Sequence, residues 1–215
     1  VTYPGYVGDN YVPSISRRPI KWSIERTDGP SLPSVSVADL KTHLRIDSTN
    51  IDEDDLIEFY AQAADEALEG ELSVALLTQS LTLHLDAFPC FEIPLPRPPL
   101  SSVSSVQYID VNGVTQILSP SLYVVDTGRK PGRIHLAFGQ TFPSTQAVPN
   151  AVTVLYTAGR ATQQEVPAMI RQAAMLVVGD LYENRERTAE QSVSELPTYA
   201  RLVQNHRTTY EFIYR

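Results

Sequence analysis

His84, Asp86, Cys90 and His135 are the side chains whose types could bind a metal or attack a carbonyl. A zinc site needs such ligands in closed sets, commonly anchored by a C-x-x-C or H-x-x-x-H pair presented together by one turn or helix face. No such pair is present, and His84 and His135 fall on separate predicted strands, at outward or turn-adjacent positions. Cys90 has no histidine partner at a nucleophile's spacing and sits between Phe88 and Phe91, which predicts a buried structural thiol. His43 and His206 read as polar-face helix residues. The other candidate is the acidic run Asp52, Glu53, Asp54 and Asp55, with Glu58 beyond it. Calcium loops space their acids and place a glycine at the sharp turn. Here the acids are contiguous and no glycine interrupts them, so the run reads as a negatively charged first helical turn. Glycine-rich phosphate loops, G-x-S-x-G elbows and H-E-x-x-H pairs do not occur. These residues predict no catalytic set, no metal and no cofactor.

The elements that would position such groups follow from period and punctuation. Residues 1–34 mix Tyr3, Tyr6, Tyr11 and Trp22 with Pro4, Pro13, Pro19, Pro30 and Pro33. That proline spacing blocks a regular helix or a central strand and predicts an extended arm. Ser36 is placed as an N-cap with Asp39 three residues on, and Val35 and Leu40 can form a staple across the cap. The spacing predicts a first helix ending near Arg45 and a second from about Asp52 to Leu72, its buried face being Leu56, Tyr60, Ala63, Ala64, Ala67 and Leu68.

From Thr78 the apolar period becomes two, with Leu81, Leu83 and Leu85 alternating against Thr82 and His84. The proline-rich run Ile93–Leu100 is confined to edge strand or turn. Asn112-Gly113 between apolar runs signals a hairpin in which both turn residues take positive φ. A further hairpin through Gly128 and Gly132, and a last strand over 151–157, complete one antiparallel sheet of about five or six strands.

Val166–Arg187 then forms a long helix with Pro167 as its first helical residue. Ile170, Ala173, Ala174, Val177, Val178 and Leu181 share one face, and Met169, Met175, Leu176 and Tyr182 widen it. Only Gln172, Gly179 and Glu183 form a polar ridge, so the helix must be covered on more than one side. Beyond a polar stretch, a short helix from Pro197 to His206 places Tyr199, Leu202 and Val203 together. The large apolar residues Tyr210, Phe212, Ile213 and Tyr214 near the end read as a segment that docks on the domain itself or on a partner, with the partner favoured.

Charge and composition bound the rest. The 215 residues carry a net charge of −8, which opposes general nucleic-acid affinity because that rests on Lys and Arg neutralising phosphates. Between Arg45 and Arg97 there is no Lys or Arg. This acidic stretch reads as a solvated helix face, or as a surface that repels phosphate or meets a basic partner. One cysteine precludes an internal disulfide, no apolar run reaches the ~20 residues of a membrane span, and the N-terminus lacks a signal-peptide pattern. These features predict a soluble, non-secreted chain.

The order of elements carries a resemblance. ADLKTHLRID in the first helix, LPRPPLSSVSSVQYID in the sheet region and VPAMIRQA with LYENRE in the long helix, in this order, are similar to the head–tail connector proteins of tailed bacteriophages and gene-transfer particles. The similarity spans about residues 35–187. It implies an α+β fold: a helical bundle core over 35–77 and 164–187, an antiparallel β domain inserted over 78–163, an extended arm over 1–34 and a C-terminal segment over 188–215.

The resemblance further implies a structural virion protein of the neck. Such a protein forms a ring, typically of twelve copies, that joins the portal to the next neck or tail component and extends a channel through which DNA passes without sequence-specific binding. Tyr210, Phe212, Ile213 and Tyr214 would then bind the portal. Met169, Met175, Leu176 and Tyr182 would touch neighbouring subunits, and Asp52, Glu53, Asp54, Asp55 and Glu58 would line the channel or face a partner. The alternative reading is a monomeric ligand-binding module or enzyme with a pocket on the β domain.

Overall fold

Trp22–Asp28 forms a strand, β1, in a stretch that the proline spacing assigns to an extended arm. The computed structural model describes residues 21–184 and 197–207. Within them, Pro30 and Pro33 follow β1, and the strand lies at a sheet edge, where neighbouring prolines are tolerated.

Helix α1, Val37–Leu44, starts where its cap dictates. The Ser36 Oγ accepts from the Asp39 N–H at 3.2 Å and donates to Asp39 Oδ2 at 2.8 Å. Val35 and Leu40 are both buried across this cap, and Arg45 ends the helix in the left-handed region. Helix α2, Asp54–Leu72, buries Ile57, Ala61, Ala64, Leu68 and Leu72 together with Asp65 and Glu69. The face expected from apolar spacing is therefore rotated: Ala67 is exposed, while Leu56, Tyr60 and Ala63 are only half-buried. The two acids explain the rotation, because each has donors waiting in the interior.

Helix α3, Ala168–Glu183, begins one residue later than expected. Pro167 has ψ of 135°, outside the helix, and acts as the cap whose carbonyl accepts from Ile170 and Arg171. With the short helix α4, Pro197–Val203, these elements enclose one apolar cluster that includes Leu40, Ile57, Leu68, Ile170, Val178 and Tyr199. The long helix thus returns across the sheet region to pack on α1 and α2.

The remaining strands are β2 (Gln79–Leu85), β3 (Glu92–Leu95), β4 (Leu100–Ile109), β5 (Thr115–Ile117), β6 (Tyr123–Asp126), β7 (Gly132–Leu136) and β8 (Val152–Ala158). They form two antiparallel sheets, ordered β1-β2-β8-β4-β5 and β3-β7-β6, where the sequence led us to expect one. The split falls in the proline-rich run: β3 pairs with β7 alone, and β4 resumes in the larger sheet. The alternation of β2 holds throughout, with Leu81, Leu83 and Leu85 facing Ile93, Leu95, Ile134 and Tyr156 in a second apolar cluster. The β4–β5 turn also differs from expectation. Only Gly113 has positive φ, at 81°, and Asp110 Oδ1 organises the loop by accepting from Asn112 and Val114. Asn112 is thus spared the left-handed conformation. The fold is α+β, as expected.

Candidate functional site

The C-terminal turn of α2 gathers the polar chemistry of the interior. Negative charge is disfavoured there by the helix dipole, and α2 has no basic residue in its last turn. Glu69 is nevertheless 2% exposed. Its Oε1 accepts from the Leu76 N–H at 2.8 Å and from Gln79 Nε2 at 2.6 Å. Its Oε2 faces two guanidinium groups, Arg26 of β1 at 2.5 Å and Arg97 at 3.7 Å. Two residues on, Glu71 accepts from the Tyr199 hydroxyl at 2.6 Å and from Arg207. Burial opposes ionisation of Glu71, but these two donors outweigh it and hold the carboxyl below its usual value. Cations from three distant parts of the chain replace those the helix lacks.

Asp65, one turn earlier, accepts from the backbone N–H of Ser34 at 2.5 Å and from the Ser34 hydroxyl. Burial pushes its carboxyl up to about 6; the bonds from Ser34 act against this, and the charge of Glu69 adds to it. The folded chain therefore retains a proton that the unfolded chain has released, and stability falls as pH rises from about 4 to 6, by up to about 1.4 kcal/mol per pH unit. Asp65→Asn keeps an acceptor and a donor for Ser34 without the charge. It is expected to remove that fall and to be about 1–3 kcal/mol more stable than the parent at pH 7. Urea denaturation at pH 4.5 and pH 7 checks this, and equal pH dependence in both proteins would refute it.

The other residues singled out from sequence scatter. In the acidic start of α2, Asp54 is paired with Lys41, Glu53 accepts from the Tyr182 hydroxyl at 2.5 Å, Asp52 and Asp55 are exposed and Glu58 is half-buried. Of the four long-helix residues assigned to neighbouring subunits, Met175 and Tyr182 pack against the chain's own helical cluster. Met169 is 40% exposed and Leu176 half-buried. Tyr210, Phe212, Ile213 and Tyr214 lie outside the described residues. Cys90 is exposed, contrary to the expected buried thiol, because it lies in the bend between β2 and β3. There Phe88 turns inward to stack on Phe142 at 4.6 Å, while Phe91 stays exposed.

His84 lies by Thr153 and Glu25, and His135 beside Glu92 on the other sheet. Among the described residues no three metal-binding side chains converge, and no helix is long and apolar enough to cross a membrane. Sequence reasoning missed Asp65, Glu69 and Glu71 as a group. The signal was present: Asp65 and Glu69 stand four apart on the same helical face as Ala61, Leu68 and Leu72.

The helical cluster and two antiparallel sheets, joined in this chain through the buried acidic turn, form a fold similar to chains of known particle necks. Residues 34–103 match the model of a family described as phage gp6-like head-tail connector protein. A chain in the neck of an empty gene transfer agent (GTA) particle, computed with C6 symmetry, is 25% identical and superposes with a TM-score of 0.69, covering 87% of this chain and 96% of that one. A chain in the virion of the native gene transfer agent particle gives 22% identity and a TM-score of 0.66, with the same coverage. One in the native neck computed with C12 symmetry gives 23% and 0.66, again over 87% and 96%. No curated protein matches in sequence. The resemblance to head–tail connectors carried by the three motifs is thus borne out, with ADLKTHLRID and most of the LPRPPLSSVSSVQYID stretch lying inside the matched family segment.

Proposed function

We propose that this chain is a structural protein of the neck of a phage-like particle, assembling as a ring adaptor between the portal and the next neck or tail component. The observation that carries this reading is the superposition on chains of symmetric necks over nearly their whole length. A ring is built from head-to-tail contacts between unlike patches of one surface. The Met169 and Leu176 flank of α3, left partly open by the chain's own core, supports a role at such a contact. The segment with Tyr210, Phe212, Ile213 and Tyr214 is assigned to the portal, and DNA passes through the ring without sequence-specific contact. The role is scaffolding, not catalysis.

The test is direct. Portal-bearing capsids mixed with the purified chain are expected to gain a ring of copies at one vertex by cryo-electron microscopy, and chains ending at Arg207 are expected to lose it. A chain that stays monomeric and off the portal while binding a small ligand would overturn the reading.

A further inference from the structure

A cleft of about 300 Å³ opens between the residues that follow α4, Asn205 to Arg207, and the loop joining β6 to β7. Val74, Pro98 and Ile170 line it as buried apolar residues, while Lys130 and Arg207 are exposed and Arg160 half-buried. The nearby acids are few: Glu71 is committed to Arg207, and Glu165 faces Arg160. Among the described residues Lys130 forms no ion pair with an acid, and His206 also lines the cleft. An occupant must therefore bring negative charge and apolar surface together.

The exposed start of α2 has that combination. Asp55, Glu58 and Phe59 stand at i, i+3 and i+4, on one helix face, with Asp52 and Ile51 just before them. Ile51 is 72% and Phe59 62% exposed, which places apolar surface beside these acids. The same chain cannot make this contact with itself. Val74 lies just beyond the far end of α2, and the 19 residues of that helix span about 28 Å.

We propose that the cleft bearing Lys130 and Arg160 receives the acidic, Phe59-bearing start of α2 from a neighbouring copy. Opposite ends of one helix then carry unlike, complementary patches, which is the arrangement a head-to-tail contact requires for ring closure. The apolar floor favours this occupant over a nucleic-acid phosphate, which would have no use for Val74, Pro98 and Ile170. The inference rests on the ring reading and supplies its seam.

Two chains test it, both with Cys90→Ser, one carrying Asp55→Cys and the other Lys130→Cys. Mixed on portal-bearing capsids under mild oxidation, they are expected to give a disulfide between different copies. Separately, Lys130→Glu is expected to lower the assembled fraction about tenfold, and combining it with Asp55→Lys to restore it. Both positions are exposed, and thermal melting verifies folding; Lys130→Gln with Asp55→Asn is the milder pair if a reversal fails to fold. Rings that form without the cross-link and ignore the charge reversal overturn this seam and leave the ring reading standing. Duplex DNA binding that vanishes in Lys130→Glu, in place of the cross-link, assigns the cleft to phosphate and overturns it too. Monomers on and off the portal overturn both readings.

Discussion

Replacing Glu69 by alanine is expected to cost about 3–5 kcal/mol of folding stability, the range for removing one partner of a buried ion pair. The change removes the acceptor of four donor groups at once, the Leu76 N–H, the Gln79 amide and the guanidinium groups of Arg26 and Arg97, of which Arg26 keeps a second partner in Glu66 at 3.5 Å. Arg26 and Arg97 keep some access to water, with side chains 31% and 26% exposed, so part of the charge can be resolvated. Leu76 and Gln79 are buried and have no such recourse. Glu69→Gln retains an oxygen acceptor for Leu76 and Gln79 but sets an amide NH2 against the two guanidinium groups in place of the charged oxygen, so a smaller loss, about 2 kcal/mol, is expected. Urea denaturation of both variants at neutral pH measures the difference. If alanine and glutamine cost the same, the carboxylate charge is not what the interior is built around.

Gly159→Ala is expected to abolish the folded state or cost more than about 4 kcal/mol, through backbone collision. Gly159 has φ of +102°, and a Cβ there would lie 1.9 Å from the Leu77 carbonyl oxygen and 2.8 Å from the Thr78 nitrogen. Neither atom can yield cheaply, because the Gly159 N–H is held by Pro99 and the next residue bonds to Leu76. This is where the end of β8 crosses the segment leaving α2, so a shift would separate the sheets from the helical cluster. Gly70→Ala is the control: its Cβ would meet nothing within 4 Å, and alanine in a helix interior is favoured by about 0.5–1 kcal/mol. Thermal melts of the two variants should move in opposite directions. A Gly159→Ala chain melting within a few degrees of the parent would refute the collision.

The sequence was legible where one residue type has one good use. Ser36 as a cap, the Leu81–Leu83–Leu85 alternation and the return of the Ile170–Ala174–Val178 face were all readable from local chemistry and period. It was less legible where a side chain's position depends on a distant donor. Asp65 and Glu69 look like members of a solvated acidic face until Ser34, Arg26 and Arg97 arrive from separate elements. The division into two sheets depends on which partner β3 finds, and the proline-rich run constrains its edges without naming its neighbour. Cys90 between phenylalanines was misread because apolar company in sequence does not fix which side chains a bend turns inward. For the candidate seam, Met175 and Tyr182 are half-buried against the chain's own cluster, and apolarity alone does not divide such a flank between the core and a neighbour's surface.

The last turn of α2 receives Arg26 from the first described strand and Arg207 from the last described residues, on Glu69 and Glu71. Both ends of the described chain are therefore moored to one short length of one helix. Displacement that reaches either Arg26 or Arg207 is passed to the same helical turn, although the two residues stand far apart in sequence. In the ring adaptor proposed above, such a common anchorage would tie both ends of the described chain to one part of the folded body.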